Sequence, residues 1–370
     1  MLNRLVPCKL ERWYSRYGLA ARYNLSGSAA PSLTAAALLH LGGSSALDDY
    51  LTLDLNYTPQ QGTTRLRTAI AGQYATLGVD DIQVTTGASE AIFLLLNALI
   101  QPGDAVVVQF PIYPVLYGLA NMLGAEVRQW PLAPSGHVDL DHLSALLEQG
   151  NVRMVALNHP HSPTGMLLSP DELDAIVALT AHHGATLVVD EVYRGIQFCG
   201  PVLPPAADLG PHVVSIGDLA KPYGLGGLRV GWLATADAGL RRRCARLRDY
   251  TSLCGSTPGE FLGWLALEHR GAILERHLAT ARRNRACFTA AMSAVQWLDW
   301  ELGHGGFTIF PRTTSRQSTA VLCQELRERH EVLLLPGEVY DKPGYLRLGF
   351  GVEPAHFDSG LERLLAYRPA

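Results

Sequence analysis

Lys221 is one of only three lysines among the 30 lysine and arginine residues of the chain, the others being Lys9 and Lys342. It stands in SIGDLAKPYGLGGLRVGW (215–232), between an apolar run and a glycine-rich run that leads to Arg229. Arginine pairs with anions but does not readily give up its proton, whereas a lysine amine does. A site that needs an amine nucleophile explains why a chain that otherwise chooses arginine kept lysine here. Gly224, Gly226 and Gly227 let the chain turn tightly between Lys221 and Arg229.

Three further stretches carry side chains that fit the same chemistry. TTGASEAIFLLLNALI (85–100) places Gly87, Ala88 and Ser89 directly before an apolar helix, so that exposed amides and the Ser89 hydroxyl form a phosphate cradle, although Ser89 alone would serve equally as an N-cap. LVVDEVYRG (187–195) ends a buried strand with Asp190, followed by Tyr193. A carboxylate at the C-terminal end of a parallel strand lies where open α/β sheets bind ligands, and a loop-capping Asp is the plainer alternative. NHPHSPTG (158–165) is a polar, proline-held turn. Its His159 and His161 have a metal-compatible spacing, but no third ligand is placed nearby and Pro160 already accounts for the shape, so no metal is expected. Pyridoxal 5′-phosphate (PLP) chemistry uses all four stretches: an amine for the aldehyde, a cradle and a guanidinium for the phosphate, and a carboxylate that keeps the pyridine nitrogen protonated. A protonated ring draws in the electrons of a carbanion at a substrate α-carbon; a neutral ring does so poorly.

The elements that must position these groups are legible as short apolar runs alternating with helical patterns. AVVVQF (105–110), RMVALNH (153–159), ATLVVDEV (185–192), HVVSIGDL (212–219) and RVGWLAT (229–235) read as strands buried on both faces of a mainly parallel sheet. SPDELDAIVALTAHHG (169–184) reads as a helix with Ser169 as N-cap, Pro170 in the first turn and Gly184 past its end. This alternation predicts an α/β domain with a mainly parallel sheet flanked by helices. After residue 255 helical stretches (258–295) give way to short strands, GGFTIFP (305–311), HEVLLLPG (330–337) and YLRLGF (345–350), which read as a smaller α+β unit. The expected division is an N-terminal arm contributing to the small unit (1–44), a large PLP-binding α/β domain (45–254) and a small C-terminal α+β domain (255–370).

Composition narrows the function class. At 370 residues, 48% hydrophobic and 17% charged, the chain reads as a well-buried enzyme of two units rather than a disordered or fibrous chain. A net charge of −4 gives no bulk field for nucleic acid or acidic membrane. The one dense basic run, LRRRCARLRDY (240–250), carries Leu240, Cys244 and Leu247 at helical spacing, which turns most of its arginines to the other, solvated face. No basic helix–turn–helix precedes the fold-like region, which disfavours an effector-binding domain behind a DNA-binding head. Six scattered cysteines without a CxxC pair suit a reducing cytoplasm. The N-terminal stretch lacks the apolar core of a signal peptide, and the longest apolar run, AIFLLLNALI (91–100), is too short to span a bilayer.

These blocks together resemble the fold type I PLP-dependent enzymes of the class I/II aminotransferase family. YTPQQGTTRLRTAIA (57–71), NHPHSPTG, DEVY and the Lys221-to-Arg229 segment match that family's blocks in order over most of the chain. The resemblance implies that Lys221 forms a Schiff base with PLP and then shuttles the proton at the substrate α-carbon. It implies that Asp190 pairs with the ring nitrogen, that Tyr193 and Ser162 serve the ring oxygen, and that Tyr113 stacks on the ring. Gly87, Ala88, Ser89 and Arg229 would hold the phosphate, with Tyr57 reaching the phosphate of a neighbouring copy in a homodimer with shared sites. Arg347, a lone charge in an apolar strand, would clasp the substrate α-carboxylate. Substrate side-chain contacts are expected from the N-terminal segment, with Tyr17, Tyr23, Ser26, Gly27 and Ser28 as candidates. Two positions depart from the pattern: Ser162 stands where the family has Asn, and Asp218 where it often has Ser. Asp218 is therefore left out of the phosphate set, since a carboxylate beside a phosphate dianion is repelled unless a cation or shared proton intervenes; orienting a turn or pairing with Arg229 are its alternatives. The implied activity is transfer of an amino group from an α-amino acid to a keto acid. LERWYSRYGLAARYNLSGSAA (10–30) and DYTSLCGSTPGEF (249–261) are also similar to a capreomycidine synthase-like subgroup, in which the same carbanion chemistry closes a ring on an arginine derivative, so a lyase, cyclase or replacement reaction is the alternative.

Overall fold

The computed structural model describes residues 6–18, 21–133, 137–293 and 295–369; the first five residues and Leu19–Ala20 of the N-terminal stretch lie outside the described residues. Eight strands organise the part of the chain that matters for function: β1 (Tyr23–Asn24), β2 (Ile82–Thr85), β3 (Ala105–Phe110), β4 (Glu126–Pro131), β5 (Val152–Asn158), β6 (Thr186–Asp190), β7 (Val213–Asp218) and β8 (Gly231–Ala234). Seven of them form one sheet in the order β2-β8-β7-β6-β5-β3-β4. The β4–β3, β3–β5, β5–β6 and β6–β7 pairs are parallel, and β8 is antiparallel to both β7 and β2. The mainly parallel, helix-flanked sheet expected from the sequence is the one observed.

The near-continuous apolar strands follow from burial on both faces. Val106 and Val108 of β3, Met154 and Ala156 of β5 and Val188 of β6 share a core with Ala91, Ile92 and Leu95 of the helix Ala88–Leu99. Their neighbours Val107, Val155, Leu157, Leu187 and Val189 point the other way, onto Leu143, Leu173 and Ile176 of the helices Leu140–Glu148 and Pro170–His182. The two-residue period of a strand thus fills two cores at once. A third core covers β2 and β8, where Ile82, Val84, Trp232 and Ala234 meet Leu38, Leu66, Ile70, Leu262 and Leu265. Ser169 starts its helix with a reciprocal cap, its hydroxyl accepting from Glu172 N (3.2 Å) and the Glu172 carboxylate accepting from Ser169 N (2.7 Å).

Two strands of the large sheet have no counterpart among the strands read from the sequence. β4 is an edge strand in which only Trp130 is buried, so charged and polar residues interrupt its pattern, and β2 is four residues long. Arg229 does not open β8; it sits just before it in a left-handed conformation (φ 54°). The basic helix Ala238–Arg248 buries Leu240 and Cys244 as its pattern implied, but Arg248 departs from the solvated face and is fully buried. Its Nε donates to Ser252 Oγ (3.1 Å), its Nη1 donates to the Gln60 carbonyl, and Glu90 lies 3.6 Å away.

The C-terminal part adds a three-stranded antiparallel sheet of Thr308–Ile309, Leu346–Gly349 and Leu335–Pro336, while β1 pairs in parallel with Val332–Leu333. The N-terminal helix Lys9–Tyr17 buries Leu10 against Leu335, Val339 and Tyr340 of this part. Among the described residues no helix is long and apolar enough to cross a membrane.

Candidate active site

The C-terminal ends of the parallel strands converge on one edge of the sheet and supply the polar groups there. β5 ends in Asn158, β6 in Asp190 and β7 in Asp218, while β2 runs into the Thr86–Gly87 turn that opens the helix Ala88–Leu99. Asn158 and Asp190 are register partners. Asn158 Nδ2 donates to the Asp190 carbonyl (2.7 Å), and its Oδ1 accepts from Ser162 N (2.6 Å), so one amide braces both the strand end and the turn behind it. These groups face a cavity of about 590 Å³, within the range of small-molecule sites.

Most of the residues singled out from the sequence meet in this cavity: Lys221, Asp190, Tyr193, Tyr113, Ser162 and Arg347 line it together with Ala88, Ser89, Arg229 and Ser28. Gly87 lies directly behind Arg229, since a Cβ there would fall 2.4 Å from Nη2. Tyr57 is elsewhere, 82% exposed on the surface. Gly27 lies against the backbone of Gly349 rather than on the cavity wall, and Ser26 reaches the site through its carbonyl, which accepts from Arg347 Nη2 (2.8 Å). Tyr17 packs edge-on against Trp13 and Tyr23 against His356, and neither lines the cavity. The histidines of the NHPHSPTG turn are occupied: His161 bonds Thr164 Oγ1 (2.7 Å) and the Pro111 carbonyl (2.8 Å), and His159 Nδ1 accepts from Leu168 N (3.2 Å).

The site also contains groups that the sequence reading missed. Leu10, Glu11 and Tyr14 of the N-terminal helix, Asn158 and Tyr340 all line the cavity. Glu11 and Tyr14 stand three apart and so share a helix face, a spacing visible in KLERWYSRY once that stretch is read as a helix. Glu11 Oε1 accepts from the Tyr113 hydroxyl (2.8 Å).

Burial makes the charges of this cavity expensive unless something pairs them. Arg347 is 3% exposed and has no carboxylate within salt-bridge distance among the described residues. Its guanidinium donates instead to Ser26 O, to Tyr14 OH (2.6 Å) and to Tyr340 OH. Burial pushes the Asp190 carboxyl up to about 7, with Val192 N (3.2 Å) as its one close amide donor and Asp218 adding repulsion. Burial pulls the Lys221 amine down, but the Tyr193 phenol and the Asp218 carboxylate outweigh it and hold the amine above its ordinary value. Lys221 Nζ reaches Ser28 Oγ at 3.5 Å.

The residues present fit PLP. Gly87, at φ 76°, leaves room for Arg229 to lie across the amides at the start of the helix Ala88–Leu99, where a phosphate would sit. Gly231 allows the same closeness from below, its missing Cβ falling 2.5 Å from Gly87 C and 2.6 Å from Ala88 N. Asp190 is a buried carboxylate in want of a cation, which a protonated ring nitrogen supplies, and Lys221 is an amine on the same cavity wall.

Comparison with known proteins agrees with this geometry. Residues 52–364 match the family described as aminotransferase class I and II. The chain is 35% identical to capreomycidine synthase of Streptomyces vinaceus, over 96% of this chain and 92% of that protein. It superposes on a PLP-dependent aminotransferase from Streptococcus suis with a TM-score of 0.92 at 29% identity, covering 98% and 97% of the two chains. It superposes on the PLP-dependent cyclase OrfR with a TM-score of 0.90 at 34% identity, covering 97% and 96%.

Two outcomes are expected from the geometry. Because the Asp190 carboxyl is raised from 3.8 to about 7 on folding, its contribution to the stability of the cofactor-free protein is full below the unfolded value and is lost as pH rises through the folded one. Thermal unfolding of cofactor-free wild type and Asp190→Asn across that range should show wild type losing ground to the variant up to about pH 7 and running parallel above it. Gly87→Ala, which drives a Cβ into Arg229, should weaken PLP binding by about tenfold or more in a fluorescence titration.

Proposed function

Since the chain belongs to the class I and II aminotransferase family and is a PLP-dependent enzyme of it, we propose that it takes the α-proton from an α-amino acid and that the reaction ends in ring closure or replacement. The observation that carries the reaction class is the single cavity in which an amine, Lys221, lies with a buried carboxylate, Asp190, and a buried guanidinium without a carboxylate partner, Arg347. When bound, PLP supplies an aldehyde that bonds to amines and a ring that withdraws electrons from the α-carbon.

The chain's own residues do the rest. Lys221 would hold the aldehyde carbon and would carry the proton to and from the substrate α-carbon. Asp190 would keep a proton on the ring nitrogen, Tyr193 and Ser162 would serve the ring oxygen, and Tyr113 would face the ring. Gly87, Ala88, Ser89 and Arg229 would hold the phosphate. Arg347 grips the α-carboxylate, exchanging its phenol and carbonyl partners for a charged one. Glu11 is a further carboxylate on the cavity wall, carried by the N-terminal helix rather than by a strand end, and it suits a substrate whose side chain ends in an ammonium or guanidinium group.

Ring closure is supported by the 35% and 34% identity to a capreomycidine synthase and a cyclase, each over nearly the whole chain, and by Ser162 and Asp218 standing where the aminotransferase pattern has Asn and Ser. Transfer of the amino group to a keto acid is the second reading, favoured by the Streptococcus suis aminotransferase likeness. A second copy completing the site is part of the proposal. Tyr57, Leu55 and Leu51 are more than 70% exposed, as is Tyr250 of a segment bound to theirs through Thr257 Oγ1 and the Asn56 carbonyl (2.7 Å), and such apolar exposure fits a homodimer face.

Mixing holoenzyme with amino donors and no keto acid separates the two readings. A ring-forming enzyme returns to its starting cofactor absorbance after each turnover, whereas stoichiometric conversion to the pyridoxamine form would establish transamination instead. Lys221→Ala should abolish turnover with every donor. Glu11→Gln should raise KM for cationic amino acids by about tenfold and leave neutral ones nearly unchanged; an equal effect on both would remove Glu11 from substrate binding.

A further inference from the structure

Asp218 is the one carboxylate at the sheet edge to which the proposed reaction gives no task. Its position is well determined. It ends β7 and pairs across the sheet with Gly231, which in turn pairs with Thr85 on β2. Gly231 is the residue whose missing Cβ would touch Gly87 and Ala88. One strand, β8, therefore separates Asp218 from the strand that leads into the amide cradle, at the same level. Its Oδ1 accepts from Ala220 N (2.8 Å) and Lys221 N (3.4 Å), which fixes the turn that delivers Lys221. Its Oδ2 has no hydrogen-bond partner among the described residues, and Asp218 lines the main cavity.

The charges around it are unfavourable to a carboxylate. Asp190 closes the neighbouring strand on one side. Behind Asp218 lies a small cavity of about 20 Å³, shared with Glu191, Arg194 and Gln73. Glu191 is 5% exposed and its Oε2 has no hydrogen-bond partner among the described residues. Against these acids stand Lys221, Arg194 and Arg229. Arg194 is already engaged with Glu191 (3.4 Å), and Arg229 donates to the carbonyls of Gly226 (3.1 Å) and Thr86 (3.3 Å). A phosphate dianion in the cradle would add further negative charge on the same side.

We propose that Asp218 keeps a proton and, as a neutral acid, donates its O–H to the phosphate of the cofactor. Burial pushes its carboxyl up, more than Lys221, the two amides and Arg229 pull it down. The assignment rests on the PLP reading, and it makes the phosphate grip sensitive to pH: ionisation of Asp218 turns a donor into a repelling charge, so the grip weakens as pH rises.

Pyridoxamine 5′-phosphate and pyridoxamine test this without turnover, because neither bonds to Lys221 and they differ only in the phosphate. The ratio of their Kd values on the cofactor-free full chain isolates that contact. As a pH series carries Asp218 through loss of its proton, the phosphate advantage of wild type should fall by about tenfold, one proton's worth of a unit shift. Asp218→Asn, a neutral donor of the same shape, should match wild type at the low-pH end of the series and stay flat to within about threefold. Asp218→Ser should be equally flat and serves if the Asn variant does not fold. A wild-type ratio that does not fall with pH, a slope that persists in either variant, or an Asn variant that binds the phosphate ligand about tenfold tighter already at the low-pH end, overturns the assignment. Failure of wild type to bind pyridoxamine 5′-phosphate at any pH defeats the cofactor reading itself and this assignment with it.

Discussion

Unpaired charge held out of water is the constraint on which the site depends. Asp190 and Arg347 are each no more than 5% exposed, and among the described residues neither forms an ion pair. A folded chain tolerates such charges only where its packing leaves them no alternative and where a ligand can compensate them. The packing that forces them together is the sheet. Each parallel strand delivers its last side chain to the same edge, and the cores on both faces hold the strands in register, so Asn158, Asp190 and Asp218 cannot retreat into solvent. The cavity is thus complementary to a particular arrangement of opposite charges: anionic toward the helix Ala88–Leu99, cationic at Asp190 and anionic again at Arg347.

The wall opposite the sheet is built from chain segments far apart in sequence. Arg347 lies on a C-terminal strand, but its partners Tyr14 and Ser26 come from the N-terminal segment. The same helix that carries Tyr14 holds Tyr113 through Glu11, and its Lys9 binds Asp341 (2.5 Å), whose other oxygen accepts from Tyr117 (2.9 Å). The N-terminal helix therefore ties Tyr113 on one side of the cavity to Arg347 on the other. On the proposed reading, a substrate that replaces the phenols on Arg347 acts on this helix, which gives the N-terminal segment a direct route to specificity.

The sheet and the residues on it were legible in the sequence because their causes are local. Strands buried on both faces read as unbroken apolar runs, and a polar residue ending such a run, as Asp190 does, marks the ligand edge. Ser169, Pro170 and Gly184 announced their helix for the same reason. What was missed depends on distant contacts. β4 is interrupted by charges because its outer edge meets solvent, and the burial of Arg248 rests on the Gln60 carbonyl, far away in sequence, beside the nearby Ser252. Glu11 and Tyr14 look like the ordinary polar residues of a short helix; only the docking of that helix on Tyr340 turns them into a cavity wall. The candidates Tyr17 and Tyr23 lie off the cavity wall, since their rings pack on Trp13 and His356.

The two departures from the family pattern have one feature in common. The charged groups that would bind the cofactor and the α-carboxylate, Lys221, Asp190, Arg229 and Arg347, stand as the pattern has them, whereas the neutral hydrogen-bonding positions at 162 and 218 have changed. The fold absorbs both changes. At 162 the turn is held by Asn158 from the strand end, through the Ser162 amide rather than its side chain, so a shorter side chain leaves the backbone in place. At 218 the turn is held by Oδ1, which leaves the second oxygen for the cavity. On the proposed reading such changes leave the charged groups for PLP and the α-carboxylate in place while the neutral positions around them differ. That is the separation expected when one scaffold carries both amino-group transfer and ring closure.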